Sequence, residues 1–362
     1  MTKATHKLHE SGQSLWLDNI TRGLLTSGRL ESYIRDLSVT GLTSNPTIFD
    51  HAIKNSHDYD EAIGRKLREG KSGEALFFEL ALEDLTKAAD LFRPIYDRTN
   101  GVDGWVSLEV SPALAHDSVR TLAAAKELHA RADRPNLFIK IPGTEEGLAA
   151  IEEAIFEGVP VNVTLLFSAA QYLAAADAYL RGIQRRVAAG LNPAVGSVAS
   201  MFISRWDVAV NDKVPVSLGD KLGIAVAGQT YKAYRNLTES PRHERLLNEG
   251  ASRQRLLWAS TGTKDSRASD ILYIKALAAP GTINTMPEKT LKAFADHGEF
   301  EQTLSAQGEA CEAVVKAFSM AGIDSDLLAA QLQTEGAEGF SNSWNQLLSC
   351  IASKGVKVRK AS

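Results

Sequence analysis

The sequence predicts a (β/α)8 TIM barrel with additional C-terminal helices. Short apolar runs rich in Val, Ile and Leu alternate with long helical patterns, the order expected of βαβ units on a parallel sheet. The runs number eight: Leu15 to Asp18, Ser38 to Thr43, Trp105 to Val110, Leu137 to Ile141, Val161 to Leu165, Val195 to Ser200, Leu256 to Ser260, and Thr282 to Met286. Polar and ionisable residues gather near the C-terminal ends of several runs, where barrels of this kind build their sites. An open doubly wound sheet carries the same alternation, because strand order is invisible in sequence, but eight strands suit closure.

Between the strands, apolar residues recur at three- and four-residue spacing in Ser72 to Tyr96, Asp117 to Ala132, Glu145 to Phe156 and Ala169 to Ala189, as crossover helices require. Residues 287–353 predict two or three more helices, beyond the one needed to finish a barrel, and the surplus is available to cover one end. The expected organisation is a polar N-terminal segment (1–12), one barrel domain including the extra helices (13–353) and a basic tail (354–362). At 362 residues with 44% hydrophobic content, the chain can bury a core of that size.

A formal net charge of -4 gives no electrostatic reason to bind nucleic acid or an anionic membrane. The one basic run, Lys354 to Lys360, lacks interleaved aromatics and reads as a solvated tail. Two cysteines, Cys311 and Cys350, suggest neither a disulfide framework nor a metal site, and the polar start has no signal-peptide core. A cytoplasmic location is expected. Phosphate-cradling, dinucleotide-binding and zinc-protease motifs are missing, and the histidines are scattered, with His6 and His9 in a loose N-terminal segment. Neither a metal nor another cofactor is expected.

Alternation along the strands sets which side chains face inward. In Asn136 to Ile141, the residues Leu137, Ile139 and Ile141 form one apolar face and leave Phe138 and Lys140 on the other. The same rule turns Trp16 and Asp18, Ser107 and Glu109, and Asn162 and Thr164 inward. Each has a plainer reading: Asp18 as a helix N-cap, Glu109 as half of a surface pair, Asn45 before Pro46 as a helix start, Asn162 and Thr164 as core polars. Ser168 with Gln171 reads as a capping box. Lys140 is harder to dismiss, because a lysine between Ile139 and Ile141 in an inward register cannot easily snorkel to water. It needs a partner, Glu109 or Asp18, or a chemical role as an amine.

Three strings, Gly41-Leu-Thr-Ser-Asn-Pro-Thr-Ile-Phe49, Asn136-Leu-Phe-Ile-Lys-Ile-Pro-Gly-Thr144 and Val161-Asn-Val-Thr-Leu-Leu-Phe-Ser168, together resemble transaldolases. Leu15-Trp-Leu-Asp18, Ser107-Leu-Glu-Val110 and Ser200-Met-Phe-Ile-Ser-Arg205 follow in the family order, so the likeness spans roughly residues 12 to 350. It is nearest to the bacterial branch sometimes fused to glucose-6-phosphate isomerase, although this chain ends too soon for an isomerase domain.

The resemblance implies a class I aldolase-type barrel of the pentose phosphate pathway, with sugar phosphates as its partners. A dihydroxyacetone unit would pass from sedoheptulose 7-phosphate or fructose 6-phosphate to glyceraldehyde 3-phosphate or erythrose 4-phosphate. It further implies Lys140 as the Schiff-base lysine, Asp18 as acid/base, and Glu109 with Thr164 positioning a water. Asn45, Asn162 and Ser200 would hold substrate hydroxyls, and Arg205 the phosphate. Many relatives carry a second phosphate-binding arginine after the seventh strand, where this chain reads Trp258-Ala-Ser-Thr-Gly-Thr-Lys264. Ser260 and Lys264 are the expected substitutes, with Lys264 equally readable as a solvated loop charge. A fructose-6-phosphate aldolase-like lyase and a non-catalytic sugar-phosphate-binding barrel are the alternatives, and a monomer or homodimer is expected.

Overall fold

The eight apolar runs form eight short parallel strands: β1 (Ser14–Asp18), β2 (Val39–Thr43), β3 (Val106–Glu109), β4 (Leu137–Pro142), β5 (Val161–Leu166), β6 (Ser197–Phe202), β7 (Arg255–Ala259) and β8 (Ile283–Met286). The structure is a computed structural model describing residues 3–299, 303–305 and 308–361. The strands pair in chain order and β1 closes onto β8, so the barrel is shut. Apart from half-buried Asp18, every strand residue is buried, as expected where helices cover the outside and side chains fill the inside. Every strand differs from its expected bounds by a residue or two, and at β6 and β7 the backbone shows why. β6 begins two residues late because the Val195 amide turns back to the Pro193 carbonyl, and β7 stops at Ala259 because Ser260 takes a left-handed φ of 55°.

Side-chain caps start several of the helices that follow the strands. Asn45 caps Pro46–Lys54, Asp117 caps Ser118–Ala132, Thr144 caps Glu145–Phe156 and Ser168 caps Ala169–Ala188, each accepting a backbone N–H three residues on. Such caps satisfy donors that a helix start would otherwise orphan. Two expectations change in detail. After β1 the cap is Thr21, which accepts from the Leu24 amide, so Asp18 is not an N-cap. Gln171 reaches the amide of Phe167, one residue short of the reciprocal bond a capping box would make to Ser168.

Aromatic rings plug the lower half of the barrel. Phe138 stacks on Trp105 at 3.9 Å between centroids and lies 6.3 Å from Trp16, whose indole donates to Asp103 at 2.8 Å. Below them Arg255 donates to the Val102 and Thr282 carbonyls and to the Ser14 hydroxyl. Gly41 leaves room for the plug: a Cβ there would lie 2.6 Å from the Trp16 ring and 2.7 Å from the Trp105 carbonyl.

The two chain ends differ from their expected solvated state. Residues Ala4–Glu10 form a helix with Thr5 and Leu8 fully buried, and the His6 ring bonds the Ser38 hydroxyl at 2.6 Å, so this segment is not loose. After β8 come helices Glu288–His297, Glu309–Met320 and Ser325–Ala361, the last of 37 residues. That C-terminal helix runs on through the expected basic tail. Lys354 pairs with Asp60 at 3.0 Å and donates to the carbonyls of Ile53 and Ser56, so it is a docking contact. Farther back, Trp344 packs edge-on against Phe77 at 4.9 Å. Among the described residues, no helix is long and apolar enough to cross a membrane.

Substituting Gly41→Ala is expected to destabilise the barrel by about 1–3 kcal/mol, the usual range for overpacking. Urea unfolding followed by tryptophan fluorescence measures it, and an unchanged midpoint would mean that the Trp16 ring yields freely.

Candidate active site

Parallel pairing places Glu109 of β3 level with Lys140 of β4, and Lys140 level with Asn162 of β5. All three side chains turn inward above the aromatic plug. The Lys140 ammonium lies 2.7 Å from Glu109 and donates to the Ser44 carbonyl at 3.1 Å, with both residues only 6% exposed. Of the two ion-pair partners that the sequence allowed, Glu109 is the one in contact. Asp18 acts on Lys140 from farther off and has its own donor, the Thr43 hydroxyl at 2.7 Å, which also bonds Thr285 at 2.7 Å.

Burial pushes the Asp18 carboxyl up from its ordinary value, against the opposing pull of the Thr43 hydrogen bond and the charges of Lys140 and Lys264. Burial likewise raises Glu109, opposed by Lys140 and Arg205. Two carboxyls with elevated proton affinity beside one amine are the groups that acid/base chemistry around that amine requires.

Asn162 and Ser200 form a satisfied network: Ser200 donates to Asn162 at 2.7 Å, and Asn162 donates to Ser107 at 3.1 Å. Thr164 is buried, and its hydroxyl has no hydrogen-bond partner among the described residues. The next residue, Leu165, has a φ of 61° where the pairing of β5 with β6 shifts register. That left-handed bulge re-aims the strand end above Thr164.

These residues meet at a chamber of about 330 Å³ on the C-terminal side of the barrel, within the usual size range for small-molecule sites. Its walls include Asp18, Asn45, Lys140, Thr164, Ser200, Arg205, Ser260 and Lys264. Asn162 stands behind Ser200. Glu109 faces an adjoining cavity of about 20 Å³ that shares Lys140 and Thr164 with the chamber. Burial lowers the Arg205 guanidinium from its ordinary value, and neither Arg205 nor Lys264 has a carboxylate within ion-pair distance among the described residues. The Ser260 hydroxyl bonds Ser204 at 2.9 Å. Two cations without a direct ion pair, both lining the chamber, suit an anionic group on the ligand.

A larger open groove of about 1190 Å³ lies between helices Pro46–Lys54, Asp60–Arg68 and the C-terminal helix. Its Lys354 and His57 are both paired with Asp60, and it holds no buried amine, so size does not make it the reactive centre.

The family model Transaldolase/Fructose-6-phosphate aldolase matches residues 15–351. The chain belongs to the transaldolase/fructose-6-phosphate aldolase family. A transaldolase of Frankia alni is 43% identical over 97% of this chain and 97% of its own length. One from Saccharopolyspora erythraea is 44% identical over 95% of each, and one from Thiobacillus denitrificans 41% identical over 96% of this chain and 99% of its own. Every string that carried the resemblance in sequence delivers at least one residue to the chamber, its small neighbour or the network behind it.

Several residues of the chamber, and Ser44 behind it, carry no signal in the sequence. Thr43 and Ser44 lay inside the quoted Gly41 to Phe49 string, yet nothing marked their contacts with Asp18 and Lys140. Phe202 and Thr285 sit on strands whose inner faces were left unread. Phe340 comes from the C-terminal helix, more than fifty residues beyond the last strand, and only the fold reveals it.

The carboxyl of Asp18 holds its proton more tightly folded than unfolded, so its stabilising contribution is complete below the unfolded value, about pH 3.9, and is lost as pH rises through the folded value. An Asp18→Asn variant escapes that loss. Its melting temperature relative to the unmodified protein is expected to increase between about pH 4 and pH 8, while turnover collapses. A pH-independent difference in calorimetry would contradict this account of the group.

Proposed function

We propose that this protein is a transaldolase of the pentose phosphate pathway, moving a dihydroxyacetone unit from sedoheptulose 7-phosphate or fructose 6-phosphate to glyceraldehyde 3-phosphate or erythrose 4-phosphate. The observation that carries the proposal is the buried Lys140 amine, opening on the chamber with Glu109 at 2.7 Å. Such an amine must be neutral to attack a ketone, and for a free lysine at pH 7 this costs roughly 4 to 5 kcal/mol. Glu109, in direct contact, is the carboxyl placed to take its proton.

Attack of Lys140 on the ketose carbonyl gives a carbinolamine, which loses water to form a protonated imine. Asp18 then accepts the C4 hydroxyl proton while the C3–C4 bonding pair moves into the imine, and an aldose phosphate departs. The three-carbon enamine left on Lys140 adds to the incoming aldehyde by the reverse steps. Raised proton affinity at Asp18 fits a group that takes and returns a proton in each half-reaction.

The cavity of about 20 Å³ beside Glu109, Lys140 and Thr164 has room for one water, which the Thr164 hydroxyl and Glu109 would hold for proton relay. Asn45 uses its carbonyl oxygen to cap a helix, leaving its NH2 group for a substrate hydroxyl, alongside Ser200 and Asn162. Arg205, Lys264 and Ser260 would receive the phosphate. On the same reading it would act in the cytoplasm, as a monomer or homodimer.

Borohydride reduction in the presence of fructose 6-phosphate is expected to leave a covalent three-carbon or six-carbon adduct on Lys140, read by peptide mass spectrometry. Lys140→Met should abolish the adduct and lower kcat by roughly 10³-fold or more. Trapping at another residue, or no trapping, would sink the proposal. For the phosphate wall, Lys264→Ala is expected to raise KM for phosphorylated donors about tenfold with little change in kcat, the pattern of lost uniform binding. An unchanged KM returns Lys264 to the role of a solvated loop charge.

A further inference from the structure

The C-terminal helix presents one stripe of residues to the barrel mouth. Gln333, Ala337 and Phe340 are spaced by four and three, which places them on a single helix face. The Gln333 amide donates to the carbonyls of Gly143 and Leu165, both at 3.0 Å, at the ends of the strands that carry Lys140 and Thr164. Beside it, Gly336 lets the helix approach closely, for a Cβ there would lie 2.9 Å from Leu165 and 3.1 Å from the Arg205 guanidinium. The helix is thereby held down on the site.

Held in this way, Phe340 stands where the two cavities meet. Its ring lies 5.9 Å from the Lys140 nitrogen and 5.7 Å from the Arg205 guanidinium carbon, and it packs on Phe202 with centroids 6.3 Å apart. It lines both the sugar chamber and the cavity of about 20 Å³, and Ala337 closes the smaller space from the same face. The ring is apolar, and it is the side chain of this helix that borders both spaces.

We propose that Phe340 determines the fate of the enamine by keeping the water of the small cavity, which reaches the Lys140 nitrogen for proton relay, away from the enamine carbon in the sugar chamber, so that this carbon waits for an aldehyde instead of being protonated. This inference rests on the transaldolase reading. The competing step is balanced by one water: the enamine carbon takes a proton to form a C–H bond, water oxygen adds to the resulting imine carbon, and the C–N bond breaks. Dihydroxyacetone and the free Lys140 amine result. A helix outside the strands therefore sets whether the barrel acts as a transferase or as a lyase.

The test uses the full chain with fructose 6-phosphate as donor, with and without glyceraldehyde 3-phosphate as acceptor. Free dihydroxyacetone and transferred product are both counted, and their ratio is independent of the fraction of protein that folds. Phe340→Ala is expected to raise the ratio of release to transfer about tenfold or more, whereas Phe340→Leu, which keeps an apolar wall, should stay within about threefold of the unmodified protein. An unchanged ratio in Phe340→Ala overturns the inference, even where both rates fall together. Borohydride trapping on the unmodified protein separates the two failures: an adduct with an unchanged ratio rejects the role of Phe340 alone, and no adduct rejects the transaldolase reading along with it.

Discussion

Lysine and glutamate can enter an apolar interior together far more readily than either can alone, because several kcal/mol of desolvation per ion must be offset by their mutual attraction. Lys140 and Glu109 meet that condition at 2.7 Å, on neighbouring strands held in register by the barrel itself. The rest of the architecture follows from this pair. Below it, the rings of Trp16, Trp105 and Phe138 stand between the pair and the lower end of the barrel, while Lys140 opens upward on the chamber. Above it, Asp18 and Arg205 are also shifted by burial, in the direction that disfavours charge for each. The site is thus a group of ions that folding tolerates because of their arrangement, and the same arrangement suits proton exchange around one amine.

Much of this was legible in sequence because strand alternation is a two-residue code. Leu137, Ile139 and Ile141 fixed the inward register of Lys140 without any knowledge of partners, and the same rule oriented Asp18, Glu109, Asn162 and Thr164. Closure was a different matter. The alternation of strands and helices permits an open sheet as well, and only the pairing of β1 with β8 distinguishes the two. The small misplacements at β6 and β7 have a common cause: backbone turns, Val195 back to the Pro193 carbonyl and Ser260 into a left-handed φ, which local hydrophobicity does not record.

The C-terminal helix was the least legible element, for a physical reason. Its contacts with the site come from a glutamine amide, a glycine, an alanine and a phenylalanine, none of which looks functional in a helical pattern. Lys354 misled in the opposite sense. A run of basic residues reads as a solvated tail, yet this ammonium meets Asp60 and two backbone carbonyls and fastens the helix to its neighbours. Likewise, the polar residues at the N-terminus concealed Thr5 and Leu8, which alone turn inward from a short amphipathic helix. Long-range docking of this kind is encoded by the surface it meets, and that surface does not exist until the barrel has closed.

The central claim is that one sequestered amine, supported by an adjacent carboxyl, is where the substrate becomes covalently attached. A crystal structure of the protein reduced with borohydride after reaction with fructose 6-phosphate tests it most directly. The account predicts electron density running continuously from the Lys140 nitrogen into the chamber, with the Asp18 carboxyl beside the carbon chain. Density joined to a different residue, or an unmodified Lys140 still in contact with Glu109 after complete reaction, would contradict it.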